Sequence, residues 1–147
     1  MQIRAYKSKD LDKCVDMFIK AFREKPWGIE WPSFQKAKSY IKSITHMPGF
    51  MGVVLEDNNK ILGMIIGHQK DLMNESIFFV EEMCVDVAHQ RKGYGEMLMN
   101  QTKKLLLENN VTRITLMTKE RVPAVKFYQE QGFNIESSVI FMYNNLY

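Results

Sequence analysis

The sequence predicts an α/β protein built on a mixed sheet, with elements in the order β-α-α-β-β-β-α-β-α-β-β. Three observations carry that prediction. Short apolar runs rich in Val, Ile and Phe are bounded by Asn, Asp and Gly, as strands are. Between them lie segments whose apolar residues recur every three or four positions, as on one face of a helix. At the centre, a strand-like run (Ile77, Phe78, Phe79, Val80, then Met83, Cys84, Val85 and Val87) passes through a polar turn into Gly93-Tyr94-Gly95 and on into a helical pattern. With 147 residues, 46% of them hydrophobic and 25% charged, the chain suits a single domain, residues 1–147, around one core.

Residues 2–7 set Ile3 and Ala5 against Arg4 and Tyr6, a short first strand. Ser8 or Asp10 is placed to cap a helix whose stripe is Leu11, Cys14, Val15, Phe18 and Phe22, and which must stop before Pro26. The loop Lys25-Pro26-Trp27-Gly28-Ile29-Glu30-Trp31-Pro32 carries both tryptophans, and Ser33 then caps a second helix with Phe34, Ala37, Ile41 and Ile44 on one face. Residues 50–55 and 61–68 read as strands joined by the turn Asp57-Asn58-Asn59-Lys60, and Gly63 and Gly67 mark a bulge or a close backbone approach. A polar stretch, 69–76, leads into the central strand. The helix over 94–108 stops at Asn109-Asn110, and residues 111–118 give another strand. Pro123 opens a last helix that Gly132 ends, after which residues 133–136 and 139–143 are expected as the final two strands.

Composition narrows the function. The net charge of +3 is dispersed among acids and not clustered, so no nucleic-acid partner is expected. Cys14 and Cys84 are far apart and share no ligand spacing with His46, His68 or His89, so neither a disulfide nor a metal is expected. The chain has no basic segment leading into an apolar one near its start and no run of about 18 apolar residues. No membrane partner and a cytoplasmic location are the expectations that follow.

The loop Gln90-Arg91-Lys92-Gly93-Tyr94-Gly95 has the makings of an anion site. A helix start presents N–H groups without intrahelical partners and a partial positive charge. Glycines remove the Cβ atoms that would hold a diphosphate away, and Arg91 and Lys92 add full charges. ATP and NAD loops do not fit, because Gly95 is followed by Glu96 and Met97 where a P-loop needs Lys-Ser/Thr, and Leu98 stands where a dinucleotide fingerprint needs its third glycine.

Gln90 to Gly95 resembles the Gln/Arg-x-x-Gly-x-Gly/Ala signature of the GCN5-related N-acetyltransferases (GNAT), flanked by Glu82-Met83-Cys84-Val85-Asp86 and Glu96-Met97-Leu98-Met99. The run from Ala124 through Tyr128 to Gly132-Phe133 is similar to the family's second signature, Ala-x-x-x-Tyr-x-x-x-Gly-Phe. The resemblance implies the GNAT fold, a mostly antiparallel mixed sheet splayed at its central strands and flanked by about four helices. It also implies acetyl-CoA as cosubstrate. Gln90, Arg91, Lys92, Gly93, Tyr94, Gly95 and Glu96 would meet its diphosphate, and the backbone around Met83, Cys84 and Val85 its pantetheine arm. Arg121 stands where the family's second signature often has an Asn that contacts CoA, and a guanidinium there could reach a phosphate.

Acyl transfer to an amine needs a neutral nucleophile. An alkylamine with a pKa of about 10.4 costs about 4.6 kcal/mol to deprotonate at pH 7, so a carboxylate that takes the proton is useful. Glu81 and Glu82 are the candidates, and strand alternation is expected to send them to opposite faces, Glu81 sharing its parity with Met83 and Val85. Glu81 is preferred, since it falls where aminoglycoside 6′-N-acetyltransferases of the superfamily carry a catalytic acid. Tyr128 matches the family's general-acid tyrosine, which would protonate the leaving thiolate. Trp27, Glu30 and Trp31 lie in the region that, in the family, borders the acceptor site, though the tryptophans could equally lid the core. Cys84, on an apolar strand without a nearby histidine, reads as buried packing and not as a nucleophile.

The reading is therefore an acetyl-CoA-dependent N-acetyltransferase acting by direct transfer on a small-molecule primary amine. A peptide or protein N-acetyltransferase, and a non-catalytic acetyl-CoA-binding sensor or interaction module, remain as alternatives. Family members often form homodimers, in which the final strands could take part.

Overall fold

The computed structural model describes residues 1–147, which form two compact units, Met1–Met117 and Thr118–Tyr147. The first unit holds a five-stranded sheet in sequential order, from β1 (Gln2–Ala5) through β2 (Phe50–Asp57), β3 (Lys60–Asp71) and β4 (Ser76–Val85) to β5 (Arg113–Leu116). The first three pairings are antiparallel and β4 with β5 is parallel, which gives the mixed, mostly antiparallel sheet that the sequence predicts. Helix α1 (Leu11–Arg23) and helix α2 (Phe34–Thr45) precede β2, and α3 (Tyr94–Glu108) is the crossover that a parallel β4–β5 pair requires.

Local chemistry explains most boundaries. Ser33 accepts from the Lys36 N–H at 3.1 Å and starts α2. Asn58 and Asn59 take positive φ, 49° and 64°, and close the β2–β3 hairpin. Asp10 does not cap α1 as expected. Its carboxylate accepts from the Lys7 N–H at 2.8 Å and is gripped by both terminal nitrogens of Arg4 at 2.8 and 2.9 Å. Arg4 also donates to Glu56 at 2.6 Å, so this network ties the start of α1 to the β1–β2 edge. Strand β3 runs on through Gln69 to Asp71, three residues past its predicted end, because those residues pair with Phe78, Ile77 and Ser76.

Two layers cover the sheet. Cys14, Val15, Met17, Phe18 and Ala21 of α1 and Ala37, Ile41 and Ile44 of α2 pack with Val54, Ile61, Met64, Ile66 and Cys84 on one face. The opposite face meets α3, where a Cβ at Gly63 would stand 2.6 Å from Leu98 Cδ1. The fully buried Val53, Leu55, Ile65 and Phe78 are outside the α1–α2 cluster, as strand alternation requires.

The second unit contains α4 (Pro123–Glu130), with Pro123 in its first turn and Gly132, at φ 94°, just past its end. The two strands expected over 133–136 and 139–143 do not form, and the 134–147 segment carries only a turn at Ser137-Ser138. Val139, Ile140, Phe141, Met142 and Tyr143 are 70–80% exposed. Alternation alone does not make a strand. With no second strand to take up its peptide groups and no apolar face to cover it, such a segment stays unpaired.

Candidate active site

The site is built on an irregularity of the central strand. Pairing of β3 with β4 runs Ile65 to Met83 and Ile66 to Glu82, then Gly67 to Val80, so Glu81 is an extra residue in a β-bulge. Before the bulge, Phe78 and Val80 face away from the α1–α2 layer. After it, Glu82 and Cys84 face towards that layer, opposite Ile66 and Met64 of its core. Phe79 pairs with His68, which shares the face of Ile66, and the Glu81 carboxylate lies 3.3 Å from His68 Nδ1. Glu81 and Glu82 therefore lie on the same face. The expected opposite placement is overturned, because an inserted residue cancels one step of the alternation.

The Tyr40 hydroxyl of α2 donates to Glu82 Oε1 at 2.7 Å. Burial pushes the Glu82 carboxyl up to about 7, against the pull of this hydrogen bond, and the neighbouring charge of Glu81 adds to the rise. Burial first, and then the bond to Glu82, raise the Tyr40 phenol well above its usual value, so it stays a donor. Tyr40 stacks on Trp31, ring centroids 5.4 Å apart, and Trp31 in turn contacts Phe18 at 5.8 Å. Trp27 packs on Phe22, at 5.5 Å, while Glu30 is exposed. The tryptophans thus join the aromatic edge of the core, with only Trp31 near the carboxylates through Tyr40.

Trp31 Nε1 and His68 Nδ1 are buried without a hydrogen-bond partner, the latter close to Glu81 but off the line of a bond. His68 also lines an open groove of ≈ 700 Å³ with Met47, Pro48, Gly49, Gln69, Lys70 and Asp71. Neither Tyr40 nor His68 is picked out by sequence reasoning. The available signal was a phenol within the apolar stripe of α2 and a histidine in phase with Met64 and Ile66 on β3.

Beyond Val80, β4 has lost its other neighbour, since pairing with β5 ends at Val80 and Leu116. The Asp86 N–H reaches back to Leu62 at 2.8 Å, so by alternation the peptide groups of Met83 and Val85 face the open edge. The Val85 carbonyl accepts there from the Gln90 side chain at 3.0 Å, which folds the loop against the strand. Arg91 and Gly93 adopt left-handed φ, 61° and 81°, and Gly93 caps α3 with open space where a Cβ would stand. Arg91 and Lys92 are exposed, Tyr94 stacks on His89 at 6.1 Å, and Glu96 lies in the first turn of α3. An open helix start beside a free strand edge fits an extended ligand with a diphosphate at one end and amides along its arm.

Tyr128 and Arg121 belong to the second unit. Tyr128 is on α4 with its ring 5.3 Å from Phe127 and 5.4 Å from Phe133, and Arg121, at φ 63°, is exposed just before α4. Both cysteines are free and buried. Burial pushes Cys14 up to about 12 and Cys84 well above the usual thiol value, so neither is a ready thiolate. No group of three or more His, Cys, Asp or Glu side chains is arranged to hold a metal, and no helix is long and apolar enough to cross a membrane.

Comparison with known proteins gives concordant results. The sequence model of the Acetyltransferase (GNAT) family matches residues 12–133. A solved structure of a possible acetyltransferase from Clostridium difficile 630 superposes with a TM-score of 0.83 at 18% identity, covering 99% of this chain and 98% of that one. An aminoglycoside acetyltransferase, meta-AAC0020, from an uncultured soil metagenomic sample and in complex with sisomicin, has a TM-score of 0.77 at 18% identity over 99% and 96% of the two chains. The aminoglycoside antibiotic 6'-N-acetyltransferase AAC(6')-IG from Acinetobacter haemolyticus has a TM-score of 0.76 at 14% identity over 99% of each chain. At these identities the structural likenesses establish the fold.

Proposed function

Since the chain belongs to the acetyltransferase (GNAT) family, we propose that it transfers acetyl from acetyl-CoA directly to a primary amine of a small molecule, with Glu82 as the proton acceptor. The observation that carries this reading is the bulge in β4, which sets the half-buried Glu82 carboxyl, pushed up to about 7, beside a second carboxylate and next to an open strand edge. A base poised near the working pH combines the right protonation state with a useful driving force. The family resemblance favours Glu81 for this role, whereas partial burial and the Tyr40 bond support Glu82.

When bound, acetyl-CoA supplies an activated acyl group as a thioester. The N–H groups at the start of α3, with Arg91 and Lys92, would hold its diphosphate, and the open peptide groups of Met83 and Val85 its arm. A free N–H on that edge is available to donate to developing negative charge on an acyl oxygen. Glu82 accepts the proton that the acceptor ammonium must lose. Tyr128 is the proposed donor to the departing thiolate, a role that rests on its match to the family signature. The open groove beside His68, which lies 3.3 Å from Glu81, suits an acceptor of modest size.

The test is release of free CoA from acetyl-CoA across a panel of aminoglycosides, polyamines, amino acids and short peptides. The aminoglycoside acetyltransferases among the structural neighbours put aminoglycosides first in that panel. The expected result is turnover with a small amine, with kcat/KM rising through about pH 7 and that limb lost in Glu82→Gln. Turnover with peptides alone would move the acceptor to the peptide class. Binding of acetyl-CoA with silence across the panel would favour a sensor.

A further inference from the structure

Two groups outside the two sequence signatures bear on Glu82, Tyr40 and Glu81. Tyr40 comes from α2, 42 residues away in sequence, and places its hydroxyl 2.7 Å from Glu82 Oε1. Its ring is fixed by stacking on Trp31 and by Phe18, centroids 6.0 Å apart, so the donor is held in place. Glu81 is brought onto the same face by the bulge, where a like charge opposes ionisation of its neighbour. We propose that Tyr40 is a positioning residue that holds the Glu82 carboxylate and favours its charged form, and that Glu81 is its electrostatic counterweight, the pair together setting the proton affinity of Glu82. This rests on the proposed role of Glu82 only for its catalytic meaning.

The other groups facing this spot are few. From β3 comes His68, 3.3 Å from Glu81; from β4 itself comes Cys84, and from α1 comes Cys14. Both thiols are held neutral by burial, so they add no charge. The indole N–H of Trp31 is polar without being titratable. Tyr40 and Glu81 are thus the two groups that act on Glu82 directly, one lowering and one raising its proton affinity.

The experiment needs neither cofactor nor acceptor. Carbon-13 NMR titration of glutamate-labelled protein, with Glu82 assigned by the signal lost in Glu82→Gln, reads the midpoint in the wild type and in two variants. Tyr40→Phe should raise it by about one pH unit, the scale of one hydrogen bond to a charged group, and Glu81→Gln should lower it. Midpoints that stay put, or that move the same way in both variants, overturn the proposal. If Tyr40→Phe fails to fold, the direction of the Glu81→Gln shift decides alone, because Glu81 is partly exposed and its amide is nearly isosteric. The two readings also separate. Midpoints that move while the pH–rate limb with an active amine does not would remove Glu82 as base and leave the tuning intact; a limb that tracks them supports both.

Discussion

Glu82 shows how a single side chain can be set against the stability of the fold that holds it. Its folded-state value of about 7 lies above the ordinary carboxyl value of 4.5, so the folded state binds its proton more tightly than the unfolded chain does. That contribution is fully present below about pH 4.5 and is lost as pH rises through about 7. The shift corresponds to roughly 3 kcal/mol across this window. Glu82→Gln, which keeps the shape without the charge, is therefore expected to be as stable as the wild type near pH 4 and measurably more stable at pH 8, by up to roughly 3 kcal/mol. Denaturant melts at the two pH values check it, and equal differences at both would show that the buried charge carries no such penalty. Asp10 has the opposite sign. Arg4 holds its carboxyl below the usual range, so its contribution is present at neutral pH and is lost as pH falls through that depressed value.

At the scale of the element, the bulge in β4 is the device that turns a strand into a site. Without the bulge, with Glu81 paired as an ordinary strand residue, strict alternation would leave Glu82 on the face of Phe78 and Val80. Gly67 makes the bulge possible, because a Cβ there would collide with the Phe79 carbonyl oxygen and stand 2.8 Å from Phe78 Cζ. Gly67→Ala is expected to cost about 2–3 kcal/mol and to move the Glu82 titration, since the backbone that must shift is the bulge itself. Gly63→Ala, whose nearest obstacle is the flexible tip of Leu98, should cost less and leave that titration in place. Equal effects from the two glycines would detach the bulge from the chemistry. The turn before α3 is a second such device, where left-handed backbone at Arg91 and Gly93 faces N–H groups outward instead of continuing the strand.

At the scale of the whole molecule, Tyr128, the proposed proton donor, lies in the second compact unit, residues 118–147. Tyr128→Phe is expected to lower kcat by about 10²–10³ while binding of acetyl-CoA, followed by calorimetry, is unchanged. Unchanged turnover in that variant would remove Tyr128 from the mechanism.

Much of the molecule is legible in its sequence, because local chemistry decides it. The order of elements up to α4, the Ser33 cap, the Asn58-Asn59 turn, the Gly93 loop and the α/β class follow from propensity, capping and periodicity, and these act over a few residues. The family, too, is written in two short motifs. Three features were decided only by tertiary contact. Pairing across β3 and β4 put Glu81 and Glu82 on one face, which no single strand reveals. A tyrosine 42 residues away became the partner of Glu82, a closeness that exists only once α2 packs on the sheet. The segment over 134–147 has the pattern of strands without becoming any, because a strand requires a partner to satisfy its peptide groups and sequence alternation supplies none.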